Sequence, residues 1–154
     1  MGVQVKVFAS IDEFVSAEGE SLGTTDWITI DQGRIDTFAE ATGDHQWIHV
    51  DPDKAAAGPF GTTIAHGLLT LSLLPLLTHQ LYTVDGITMG INYGFDKVRF
   101  ISPVRVGSRL RASAVIASVT PIPGGVQAKV VVTIELENSE KPACVAESIA
   151  RFMA

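Results

Sequence analysis

Ile64-Ala-His-Gly-Leu-Leu-Thr-Leu-Ser-Leu-Leu-Pro-Leu-Leu-Thr-His-Gln-Leu81 is the most apolar segment of the chain and holds no charged residue. Its leucines, Leu68, Leu69, Leu71, Leu73, Leu74, Leu76, Leu77 and Leu81, cover every side of a helical wheel. A helix apolar all round must be buried all round. A membrane span is the rival reading, since about 18 residues is marginal for crossing a bilayer. Thr70, Ser72, Pro75, Thr78, His79 and Gln80 interrupt the run, so a long buried core helix is expected. Gly67 stands near its start, and Pro75 should kink it by removing one backbone hydrogen bond.

Upstream, Trp27, Ile28 and Ile30 suggest a short strand, and the stretch around Gly19 and Gly23 reads as loop. Ile11 to Val15 could form one helical turn. Thr29 with Gln32 fits a capping box, and Ile35, Phe38, Ala39 and Thr42 then recur at helical spacing. Gly43 supplies a residue that takes the left-handed conformation easily, so Asp44 should sit just past a helix end. Asp51-Pro52 reads as an N-cap and first turn, opening a short helix that Gly58-Pro-Phe-Gly61 closes. Beyond Gly86 the period changes to two. Ile87–Ile101, the run around Leu110–Ile116, Val126–Leu136 and about Ala143–Phe152 alternate as strands. Short connections make such neighbours antiparallel. One buried helix with four strands after it gives an α+β fold, the curved antiparallel sheet wrapping the helix.

The chain of 154 residues is one domain's worth, 1–154, and 46% of it is apolar. A net charge of −6 argues against gripping nucleic acid phosphates, and no run of like charge suggests a membrane surface. The single cysteine, Cys144, cannot form an internal disulfide, and residues 1–20 carry four carboxylates with no apolar signal core. Both facts point to the cytoplasm.

All four histidines fall between His45 and His79. Thr42-Gly-Asp-His-Gln-Trp-Ile-His49, Phe60-Gly-Thr-Thr-Ile-Ala-His-Gly67 and Val98-Arg-Phe-Ile-Ser-Pro-Val-Arg-Val-Gly107 together resemble the MaoC-like dehydratases, the R-specific enoyl-CoA hydratases of hot-dog fold. The resemblance runs from about Trp27 to the C-terminus. It implies a homodimer with its active sites where subunits meet, Asp44 and His49 as the catalytic pair, and the Gly67 N–H as the group that holds the thioester carbonyl. Where the family usually has Asn-Pro between the pair, this chain has Gln46-Trp47, and the spacing is kept. The substrate implied is an acyl-CoA thioester, or one on acyl carrier protein; coenzyme A belongs to the substrate, and no separate cofactor is called for.

The chemistry suits these residue types. Hydrating a conjugated thioester needs a base for the water, an acid for the α-carbon and a donor for the enolate oxygen. Histidine and a carboxylate supply the first two near neutral pH. A helix start, with N–H groups lacking intrahelical partners, supplies the third. No metal is expected, because the histidines lack a spacing such as His-Glu-x-x-His. His66 reads as structural, bonding the loop, while His45 and His79 read as surface or packing residues. Asn92, with Tyr93 and Arg99, could touch substrate. Lys97, Arg105, Arg109 and Arg111 could meet coenzyme A phosphates, although a solvated strand face explains them as well. Two other functions fit less of the sequence: a hot-dog thioesterase, and a non-catalytic acyl-binding or partner subunit.

Overall fold

A computed structural model describes residues 4–154, so positions 1–3 of the expected domain lie outside the described residues. The chain opens with strand β1 (Lys6–Phe8) and helix α1 (Ile11–Ser16), whose first turn is capped by Ser10 Oγ accepting the Glu13 N–H. Strand β2 (Ser21–Thr24) stands where the glycines read as loop; pairing with a long neighbour, not local alternation, makes it a strand.

Strand β3 (Ile28–Thr29) leads into helix α2 (Gln32–Thr42). The expected Thr29–Gln32 capping box does not form. Thr29 is held opposite Arg109, and Asp31 caps the helix instead, its carboxylate accepting the Arg34 N–H at 2.8 Å. Gly43 ends α2 as expected, at φ 82° with its N–H bonded to Ala39 O at 2.8 Å. Two short helices follow, α3 (Trp47–Val50) and α4 (Pro52–Ala56), and Asp51 caps the second through the Lys54 N–H at 3.1 Å.

The leucine run is central, but it is not one long helix. It forms α5 (Gly67–Ser72) and α6 (Leu74–Thr78), broken at Leu73. Pro75 has no N–H to continue the ladder, so the chain restarts with proline in the first turn of α6, where that N–H is not required. Ile64 is not helical either; it bridges Arg105. Nor is the run buried all round. Leu69, Leu74, Leu77 and Leu81 are buried, whereas Leu68 and Leu76 are 62% and 45% exposed in the single chain.

Strand β4 (Tyr82–Val84) pairs in parallel with β1. The remaining strands, β5 (Met89–Phe100), β6 (Arg109–Ile122), β7 (Gly125–Leu136) and β8 (Cys144–Met153), build an antiparallel sheet in the order β2-β6-β7-β8-β5, with β3 beside β6. Its inner face is the even-numbered side of β7: Val126, Ala128, Val130, Val132 and Ile134 are buried in one cluster with the leucines of α5 and α6. The sheet therefore covers the central helical segment, the expected α+β arrangement. β5 pairs with the last strand, not the next one, and among the described residues it has no neighbour on its other side. Among the described residues no helix is long and apolar enough to cross a membrane.

Leu77, on α6, is fully buried in the core cluster that it shares with the sheet. Leu77→Ala should cost about 2–5 kcal/mol, the usual price of a cavity at such a position, read as a lower midpoint in urea unfolding with an unchanged slope.

Candidate active site

Asp44, His49 and His66 come from three different elements: the loop after α2, helix α3, and the residue before α5. The fold brings a carboxylate oxygen and one ring nitrogen of each histidine within 4.8 Å of one another. Asp44 is exposed, while both histidines are buried.

Each member is tied to main chain. Asp44 Oδ1 accepts the Gln46 N–H at 3.3 Å, a turn that aspartate makes readily. Its carbonyl oxygen accepts from His66 Nε2 at 3.0 Å, the loop-bonding role that the sequence suggested for His66. His49 Nδ1 lies 2.7 Å from the Ile64 carbonyl oxygen. A carbonyl only accepts, so Nδ1 carries the proton and the neutral ring keeps its lone pair at Nε2. The His49 and His66 rings stack at 3.8 Å with 24° between their planes, and Phe38 covers His66 at 4.8 Å.

Gln32, read from sequence as a cap partner, is instead a strut under the site. Its amide N–H donates to the His49 carbonyl at 2.8 Å, and its amide oxygen accepts from Thr63 Oγ1 at 2.6 Å. The Ile64 N–H returns to Ile48 O at 3.0 Å. No local signal marks Gln32, because its partners lie 17 and 31 residues away. The Gln46-Trp47 substitution has a visible anchor too. The Trp47 ring packs so closely on Gly58 that a Cβ there would stand 3.0 Å from it, and Lys54 Nζ sits over the ring, 4.8 Å from its centroid.

Gly67 follows His66 as the first residue of α5, and among the described residues its N–H donates to no backbone group. A Cβ on it would meet the Phe100 ring at 3.1 Å, so the position has room for a glycine and little more. Asn92 is not brought to the pair within one chain. It lines a separate cavity of about 450 Å³ with Pro75, Thr78, Val130 and Ser148. Tyr82 and Phe152 also line it, and burial pushes the Tyr82 phenol up to about 12, so it stays neutral.

The other sequence candidates scatter. Tyr93 lies under the Arg151 guanidinium at 3.6 Å, on the face away from the helices. Arg99 shares that face, opposite Val145. Arg109 pairs with Glu137 and Arg111 with Glu135, which is the solvated strand face. Arg105 donates to Phe60 O at 3.1 Å, near the site loop, and Lys97 stands opposite Glu147. His45 is a surface residue 3.6 Å from Glu40, and His79 lines the cavity. Burial raises the Cys144 thiol to about 11, which leaves it no thiolate for nucleophilic work.

Two histidines and a carboxylate are also a donor set that suits a divalent cation. One nitrogen of each ring is already committed to main chain, Nδ1 of His49 to Ile64 O and Nε2 of His66 to Asp44 O, which leaves one bare nitrogen on each.

A model of the MaoC like domain matches residues 13–139. The chain is 58% identical to 3-hydroxyacyl-thioester dehydratase Z of Mycobacterium tuberculosis, over 97% of this chain and 100% of that protein. It is 50% identical to Nodulation protein N of Rhizobium meliloti, over 92% and 89% of the two chains. Its fold matches the R-hydratase PhaJ1 of Pseudomonas aeruginosa with a TM-score of 0.70 at 23% identity, over 89% and 81% of the two chains.

Replacing Gln32 with Ala strands the His49 carbonyl and the Thr63 hydroxyl together. The expected cost is about 1–3 kcal/mol in chemical denaturation, with a larger fractional loss of activity than of folded protein.

Proposed function

The chain belongs to the MaoC-like dehydratase family, and from that premise we propose that it adds water reversibly to trans-2-enoyl thioesters, as an R-specific enoyl-CoA hydratase and, in reverse, a 3-hydroxyacyl-thioester dehydratase. The observation that carries this reading is the cluster of Asp44 and His49 beside the start of α5. In hydration the water oxygen bonds C3 as the C2–C3 double bond opens, and a proton reaches C2. His49 Nε2 and the Asp44 carboxylate are the two acceptors that can share the water's protons; positioned transfer of this kind is typically worth roughly 10²–10⁴-fold. The Gly67 N–H, lacking a backbone acceptor, is the donor for the carbonyl oxygen as enolate charge builds. A thioester carbonyl fixed there, with both acceptors on one side, presents a single face of the double bond, which yields one enantiomer. The R form is supported by the family and by the name of the structural neighbour, not by the geometry alone.

Assembly follows from the sheet edge. β5 is a twelve-residue edge strand, and unpaired edges of that length invite another strand. Phe95 and Phe100 on it are 42% and 51% exposed, as are Leu68 and Leu76 at 62% and 45%, and Phe100 packs on Gly67 at the start of α5. We infer that a second copy covers them, β5 pairing with β5 across a two-fold axis. Full antiparallel overlap of Met89–Phe100 sets Gly90 opposite Arg99 of the partner. The cavity beside Gly90 and Asn92 then abuts the partner's Gly67, which packs on Phe100. On this reading the acyl chain enters the cavity of one subunit while its thioester sits at the pair of the other, and Asn92 reaches substrate across the interface.

The thioesterase alternative would use the same carboxylate and helix start, but it gives no task to the bare Nε2 of His49. The single buried thiol keeps a reducing cytoplasm as our placement.

Asp44→Asn and His49→Gln should each cut hydration of a short enoyl-CoA by orders of magnitude with folding intact, and the double variant should be little worse than the worse single. Retention of near wild-type kcat by either would remove that residue from the mechanism, while release of free thiol without hydrated product would favour the thioesterase. Light scattering on a sizing column should give twice the 16.4 kDa chain mass; a 16.4 kDa species at micromolar concentration would contradict the shared site.

A further inference from the structure

His66 does more than bond a loop. Its ring is buried, and each part of it has a different occupation. Nε2 bonds the main-chain oxygen of Asp44 at 3.0 Å, one face stacks on His49 at 3.8 Å, and Phe38 packs at 4.8 Å. Nδ1 is the one buried side-chain nitrogen or oxygen among the described residues with no hydrogen-bond partner. A buried unpaired polar atom normally calls for an explanation.

The tautomer supplies it. The Asp44 carbonyl accepts only, so Nε2 is the protonated nitrogen, and Nδ1 of the neutral ring is a bare lone pair. Protonating Nδ1 would place a second N–H where no acceptor stands. It would also set an imidazolium against the ring that takes up a proton during turnover. With 3.8 Å between ring centroids, two such charges would repel each other in a buried site. A neutral ring face is instead a favourable neighbour for a cationic one.

We propose that His66 is a positioning residue for the hydration reaction, a neutral imidazole in the Nε2–H tautomer that holds the Asp44 main chain and the His49 ring in register at once. This rests on the catalytic roles given to Asp44 and His49. The two stacked rings are held in opposite tautomers, His49 with its proton on Nδ1 and His66 with its proton on Nε2. One imidazole thereby couples the loop after α2 to helix α3 without touching the substrate. A displacement of about 1 Å in such a pair can cost 10²-fold in rate, so the effect should appear in kcat.

The test has two arms. In protein labelled with ¹⁵N-histidine, imidazole nitrogen shifts should report His66 as the Nε2–H tautomer and His49 as the Nδ1–H tautomer at neutral pH; His66 found as Nδ1–H or as the imidazolium would overturn the proposal. His66→Phe keeps the stacking and loses the donor, and His66→Gln keeps a donor and loses the ring. Each should lower kcat for enoyl-CoA hydration at least tenfold with KM little changed and the unfolding midpoint close to wild type. Full kcat in His66→Phe would reduce the residue to packing and overturn the proposal. Should the variants not fold, the tautomer arm still decides. Failure of the underlying function would show differently, as wild-type protein that hydrates no enoyl-CoA or as an Asp44→Asn variant that remains active.

Discussion

The hydrogen bond from His49 Nδ1 to the Ile64 carbonyl, 2.7 Å long and buried, is the contact on which the site depends. It joins the two halves of the signature sequence across 15 residues of chain. It also fixes which nitrogen of His49 is free. Without it the ring could turn or change tautomer, and Nε2 would no longer be the bare nitrogen. The bond is possible because Ile64 is extended rather than helical: it bridges Arg105, while its N–H returns to Ile48. Gln32 then closes the arrangement from below by holding the His49 carbonyl and, through its amide oxygen, the Thr63 hydroxyl.

Such support is needed because the local elements are too short to stand alone. α3 and α4 are four and five residues long, well under the length at which an isolated helix is stable in water. Their shape comes from tertiary bonds and from capping by Asp51. The reactive groups therefore sit on a loop whose geometry is set by neighbours: α2 with its Gln32, the strand-like run through Ile64, and the leucines of α5 and α6 against the sheet. The exposed face of β5 carries the same logic one level higher. A protomer that leaves Phe95, Phe100, Leu68 and Leu76 partly bare has an incomplete core, and the proposed second copy completes both the core and the cavity.

Much of the fold was legible because it rests on local chemistry. Gly43 reads as a helix stop since few residues take its φ of 82° without strain. Asp51-Pro52 reads as a helix start, and the strict alternation of Val126–Leu136 reads as a half-buried strand. Features set by distant partners were not legible. Asp31 and Thr29 are both plausible caps, and only the pairing of Thr29 with Arg109 decides between them. The break at Leu73 needs both Pro75 and a sheet that rewards two short helices. β2 owes its extended shape to β6 alone, and the pairing of β5 with β8 is a matter of topology that no local pattern records. In the site, Asp44, His49 and Gly67 were marked by the family motif, whereas Gln32 acts through contacts 17 and 31 residues away, and His66 shows its second role only as a ring stacked on its neighbour.

The central claim is that one cluster on one side of the substrate handles all the protons. Its most direct test is to run the hydration in D₂O and determine the relative configuration at C2 and C3 of the 3-hydroxyacyl product by proton NMR. Acceptors within 4.8 Å of each other, sharing one water, must deliver oxygen and deuterium to the same face. The account predicts syn addition with a single deuterium at C2. Anti addition would require an acid on the opposite face, where neither Asp44 nor His49 can be, and would contradict it.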